Sequence, residues 1–125
     1  MVRERRKYVR IDLCTQVEYE ILPMQISHPR GETRNISAGG LCLLVDKKMS
    51  PDTILHLKFH LPDKDKTYVE SLGRVVWQKK VDEGYLTGIE FKNISPHLEL
   101  KLSIFVLNFL KEIKEYPEPT KRFSP

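Results

Sequence analysis

Tyr68-Val69-Glu70-Ser71-Leu72-Gly73-Arg74-Val75-Val76-Trp77-Gln78-Lys79-Lys80, then Asp82-Glu83-Gly84, then Tyr85-Leu86-Thr87-Gly88-Ile89-Glu90-Phe91, is the stretch whose reading decides the fold. The first segment is a long strand with Val69, Val75 and Trp77 on one face and Gly73 inside it. Asp82-Glu83-Gly84 makes a hairpin, and Tyr85, Thr87, Ile89 and Phe91 alternate along the returning strand. Trp77, Tyr85 and Phe91 read as packing residues, and Gly88 as structural.

Working outward, Leu55, Leu57, Phe59 and Leu61 share a face, with His56, Lys58 and His60 opposite. Turns at Ser50-Pro51-Asp52 and at residues 62–66 bound that strand. Nearer the N-terminus, Leu13, Val17, Tyr19 and Ile21 alternate with Gln16, Glu18 and Glu20. Leu22-Pro23 stops this strand, and residues 23–31 form a loop. Glu32 to Ile36 is a second strand, Ser37-Ala38-Gly39-Gly40 breaks it, and Leu41 to Val45 is short and wholly apolar. The two glycines permit backbone shapes that other residues resist. Six strands joined by hairpin-length connections predict an antiparallel barrel or sandwich.

After Lys92 the period changes. Ser95-Pro96 is a helix start, a capping hydroxyl followed by proline at the first helical position. Leu98, Leu102, Phe105, Phe109, Ile113 and Tyr116 recur at helical spacing and form one apolar stripe. Pro117 ends the helix. Leu100, Ile104 and Leu107 lie on the opposite side. A helix apolar on two faces needs two partners: a second subunit (a homodimer through the helix), or other parts of the same chain. The expected organisation is an arm at 1–12, a β-barrel at 13–94, a helix at 95–116 and a loose tail at 117–125.

The chain has 125 residues, 40% hydrophobic and 30% charged, which is room for one domain. Cys14 and Cys42 sit in apolar stretches without CxxC spacing and read as small buried hydrophobes in a reducing compartment, with no disulfide framework expected. The basic N-terminus has no apolar run behind it, so no secretory signal is expected. Leu102 to Leu110 is too short to span a bilayer, which takes about 20 residues, so a cytoplasmic protein without a membrane span is expected. His56 and His60 stand about 13 Å apart on one strand face, too far to chelate one metal. No nucleophile elbow or phosphate loop is present, so neither an enzyme nor a metal or other cofactor is expected.

The net charge of +4 is local. Arg3, Arg5, Arg6, Lys7 and Arg10 stand against Glu4, and the remaining 115 residues hold 16 basic and 16 acidic side chains. A DNA or RNA binder would spread its charge over a face; a basic arm on a neutral body suits a small anion.

Two constellations carry a resemblance. Arg6-Lys7-Tyr8-Val9-Arg10 is an RxxxR, and Asn35-Ile36-Ser37-Ala38-Gly39-Gly40 is an NxSxxG at a strand end. Together, in this order and on this strand pattern, they resemble the PilZ domain family of cyclic di-GMP receptors. Gly73-Arg74-Val75-Val76-Trp77 followed by Gly88-Ile89-Glu90-Phe91 agrees with that family's hairpin. Val9 departs from it, standing where proline is frequent. The resemblance runs from about Arg3 to Tyr116 and is to the stand-alone, single-domain type. It implies a six-stranded antiparallel β-barrel of split-barrel type with a C-terminal helix and a flexible N-terminal arm. It also implies a ligand, cyclic di-GMP, bound by Arg6 and Arg10 from one side and Asn35, Ser37 and Gly40 from the other. Arg5, just before the motif, is at the place associated in this family with a stacked pair of ligands.

The residue types suit that ligand. A guanidinium meets guanine O6 and N7 with two parallel hydrogen bonds, or pairs with phosphate. Asn35 offers donor and acceptor, the Ser37 hydroxyl does either job, and Gly40 removes a Cβ from a close approach. The expected mechanism is ordering of the arm on binding, read by an unidentified downstream protein in a motility, biofilm or virulence output. The alternatives are a PilZ-fold interaction module that no longer binds the ligand and a small RNA-binding barrel. The second would need exposed aromatics among basic residues.

Overall fold

The structure, a computed structural model, describes residues 9–23 and 29–115, with the side chains of 113–115 left aside. Seven strands precede one helix: β1 (Ile11–Asp12), β2 (Gln16–Leu22), β3 (Arg30–Ser37), β4 (Gly40–Val45), β5 (Ile54–His60), β6 (Tyr68–Val81), β7 (Gly84–Lys92) and α1 (Pro96–Glu115). All pairings are antiparallel, in the circular order β3-β2-β5-β6-β7-β4, which closes where β4 pairs with β3. This is the expected six-stranded barrel, with β1 added. Closure leaves no free edge around the ring.

β1 overturns one boundary. Ile11 and Asp12 were expected in the arm, yet they pair with Ile36 and Asn35 of β3, and Ile11 is buried. One edge of β3 faces β4, so β1 and β2 share the other edge as one stave interrupted at residues 13–15. Two backbone hydrogen bonds, Leu13 N–H to Arg34 O at 3.2 Å and Thr33 N–H to Thr15 O at 2.9 Å, bridge the interruption together with one side chain. The Thr33 hydroxyl donates to Leu13 O at 2.6 Å and accepts from Thr15 N–H at 2.9 Å, in full burial. Thr33→Val keeps the shape but leaves both backbone groups without this partner, at about 1–3 kcal/mol. The expected result is a lower unfolding midpoint in urea with faster amide exchange at Ile11 and Asp12; an unchanged midpoint would remove the hydroxyl's role.

The alternating residues fill the barrel as predicted. Val17, Tyr19, Ile21, Leu55, Leu57, Phe59, Leu61, Val69, Val75, Ile89 and Phe91 are buried. Cys42 is buried as expected, whereas Cys14, also expected to be buried, is exposed. Among the alternating residues Trp77 is the exception. A β-bulge between Val75 and Trp77 turns both Val76 and Trp77 outward, and Trp77 is 39% exposed. An extra residue in one strand inverts the face of everything after it. Trp77 therefore does not pack in the barrel, contrary to its sequence reading.

α1 begins as predicted, with the Leu98 N–H donating to Ser95 Oγ at 3.1 Å. Leu102 and Val106 are buried in the core, and Leu98, Phe105, Phe109 and Leu110 are half-buried against it. Val106 joins the stripe although the sequence reading omitted it; Tyr116 and the side chain of Ile113 lie outside the described residues. Leu100, Ile104 and Leu107 are exposed. No helix among the described residues is long and apolar enough to cross a membrane.

Candidate functional site

The register across five strands builds the site. Ile11, Ile36, Leu41, Ile89 and Val75 lie side by side on β1, β3, β4, β7 and β6, and all five are buried. Side chains alternate between faces, so the two flanking rows turn away from the barrel interior, although Ser37, Gly40, Cys42 and Gly88 within them are buried. One row is Asp12, Asn35, Cys42, Gly88 and Trp77. The other is Ser37, Gly40, Glu90 and Arg74, with Arg10, one residue before Ile11, at the end next to Ser37. Four of the sequence-predicted residues (Arg10, Asn35, Ser37 and Gly40) thus meet at one end of two adjacent rows. Arg5 and Arg6 lie outside the described residues.

Each of the four is held differently. Arg10 is exposed. Burial pushes the Cys42 thiol up, opposed by the charge of Arg10, a backbone hydrogen bond at Thr87 and the charge of Arg34. Asn35 is half-buried, and its Oδ1 is shut away from solvent with no hydrogen-bond partner among the described residues. An orphaned acceptor of this kind costs about 1–3 kcal/mol until a donor arrives.

Ser37 is committed locally. Its hydroxyl accepts from Gly39 N–H at 3.1 Å and donates to Gly40 O at 3.3 Å, bracing the Ala38-Gly39 turn. That is the turn chemistry a serine here would have in any hairpin. Neither glycine needs an unusual backbone shape: Gly84, at φ 148°, is the one glycine with positive φ among the described residues. Gly40 answers a close approach instead, because a Cβ there would strike the Ile89 carbonyl oxygen of β7.

The far ends of the rows were not legible as site residues. Trp77 stands over Gly88, whose missing Cβ makes room for the indole. Arg74 bridges Asp52 and Glu90, reaching Glu90 Oε1 at 3.0 Å from its terminal nitrogen. The floor between consists of small residues, Cys42, Gly40 and Gly88, which leave a shallow trough with Arg10 at one end and Trp77 and Arg74 together at the other.

Other polar features are occupied by structure. His56 Nε2 lies 2.7 Å from Glu70 and Nδ1 lies 3.5 Å from Glu20, while the His60 ring packs on Tyr68 with centroids 5.1 Å apart. A cleft of about 540 Å³ between residues 62–67 and α1 contains none of the candidate residues.

The PilZ domain family model matches residues 4–108. The chain belongs to the PilZ domain family. Solved structures agree on the fold of this PilZ domain. The Bacillus subtilis inhibitor of motility, MotI/DgrA, is 20% identical, with 91% of this chain and 54% of that one covered and a TM-score of 0.78. Escherichia coli YcgR in complex with c-di-GMP is 16% identical, covering 90% and 49%, at a TM-score of 0.73. The K. pneumonia MrkH–c-di-GMP complex is 18% identical, covering 91% and 55%, at 0.71. The PilZ chain spans about half the length of these three proteins. No curated protein matches it in sequence.

Proposed function

We propose that this PilZ domain binds cyclic di-GMP in the outer trough, with Arg10 and the arm ahead of it on one side and Asn35, Ser37 and Gly40 on the other. The observation that carries the reading is the register, which pairs Ser37 with Gly40 and sets Asn35, with its unpartnered Oδ1, in the adjoining row beside Asp12, with Arg10 directly ahead of β1. Two of the similar structures, YcgR and MrkH, hold c-di-GMP. Ser37 and Gly40 act here mainly by shaping the turn and the β4–β7 approach, leaving Asn35 and the arginines to meet polar atoms of the ligand. Arg6 adds a second guanidinium, and Arg5 decides whether one ligand or a stacked pair is held.

The relay runs through the arm. Ile11 and Asp12 are already strand, so the segment whose state changes is residues 3–10, and a downstream protein reads it. A homodimer through α1 rests on Leu100, Ile104 and Leu107. Three side chains over two turns fall short of the roughly 1,200 Å² that a stable interface buries, so such a dimer needs further surface.

Trp77 is the sole tryptophan and lies in the same row as Asn35, which makes it a built-in reporter. Titration with cyclic di-GMP is expected to change its emission saturably, with matching heat by calorimetry and slowed amide exchange at residues 3–10. No heat and no change in emission would overturn the function; binding without altered exchange would overturn the relay; one ligand per chain would remove the stacked pair.

A further inference from the structure

The trough has an arginine that neither motif contains. On β3, Thr33 pairs with Leu43 and Asn35 with Cys42, and the bulge between them leaves Arg34 without a residue opposite it on β4. Burial follows the bulge: Thr33 is fully buried, Arg34 exposed, Asn35 half-buried and Ile36 buried. Bulges re-aim side chains, and this one turns two consecutive residues outward. Asn35 consequently has Arg10 toward the Ser37 row and Arg34 on its other side.

Charge pairing separates these two arginines from the rest. Among the described residues, Arg30 bridges Glu18 at 3.9 Å and Arg74 bridges Asp52 and Glu90. Arg10 and Arg34 have no carboxylate within ion-pair distance among the described residues, although Asp12 and Glu32 are near in sequence. The Glu32 carboxylate engages the Cys14 thiol instead, the main cause of that thiol's raised pKa. Two unneutralised guanidinia thus flank an orphaned carboxamide oxygen. A paired arginine must surrender its carboxylates to take an anion; an unpaired one does not, and it offers two parallel donors to phosphate oxygens.

We propose that Arg34 is a further arginine of the site and receives a phosphodiester of the bound dinucleotide, which carries two such charges. This rests on the reading of the trough as a cyclic di-GMP site. Calorimetry with cyclic di-GMP on the full chain, at about 50 mM and about 300 mM salt, compares wild type, Arg34→Ala, Arg34→Lys and Arg10→Ala. Arg34→Ala is expected to weaken binding about tenfold at low salt and less at high salt, and Arg34→Lys to recover most of it, since a lysine still serves a phosphate as a point charge. The unliganded melting temperatures should not differ. If Arg34→Ala binds within about twofold of wild type while Arg10→Ala does not bind, the role of Arg34 is overturned and the site reading stands. A salt-independent loss that lysine does not recover overturns the phosphate contact. Absence of wild-type binding overturns the site reading itself.

Discussion

Arg10→Ala is expected to weaken cyclic di-GMP binding by about 100-fold or more while leaving the fold intact. Two parallel charge-assisted hydrogen bonds contribute about 1.5–3 kcal/mol each, and every 1.4 kcal/mol is tenfold in affinity. Arg10 is exposed, so its loss opens no cavity, and its neighbour Ile11 still anchors β1 in the core. The position of β1 also lowers the cost of binding. Ordering backbone costs about 1–2 kcal/mol per residue. Because Ile11 and Asp12 are already paired with β3, that cost does not fall on them, and Arg10 sits directly next to this anchored pair. Calorimetry decides this: binding equal to wild type would take Arg10 out of the site, and a changed melting temperature would mean a structural role. Arg10→Lys should fall between, retaining charge but losing the fork.

How much of this was legible in the sequence depends on what each feature needs. Period-2 alternation predicted the strands and their buried faces because the core requires only apolar residues at every second position, as at Val17, Tyr19 and Ile21. A bulge leaves no such mark. The alternation places Trp77 with Val75, and the extra residue between them reversed it; Arg34 was passed over for the same reason. β1 was missed because two residues carry no period, and its strand character comes from pairing with Ile36 and Asn35. The register brings Arg10, Asn35, Ser37 and Gly40 of the two motifs to one end of adjacent rows. Their physical division of labour was not readable. Whether Ser37 faces a ligand or braces its own turn depends on hydrogen bonds to Gly39 and Gly40, and the reason for Gly40 lies on β7, about fifty residues away.

That last point yields the second large effect. Gly40→Ala is expected to destabilise the domain itself, by about 3 kcal/mol or more and about 10 °C in melting temperature. The added Cβ would meet the Ile89 carbonyl oxygen and crowd the Glu90 Cα, and both are backbone. Backbone cannot swing aside, so relief requires β4 and β7 to separate at Gly40–Glu90, next to the hydrogen bond from Phe91 N–H to Gly39 O at 2.9 Å. These strands lie beside the β3–β4 pairing that closes the barrel, and separation there exposes Leu41 and Ile89 on the inner face. Gly88 makes the useful contrast. A Cβ at Gly88 meets the indole of Trp77, a side chain on the outer surface that can rotate away. Gly88→Ala should therefore cost less stability while displacing the indole. Thermal melts of the two variants without ligand separate the explanations. If Gly40→Ala melted like wild type and lost only cyclic di-GMP binding, the glycine would be serving the ligand's approach. A large drop for Gly40→Ala with a small one for Gly88→Ala would assign Gly40 to the β4–β7 seam, and its weakened binding would follow from the seam's opening.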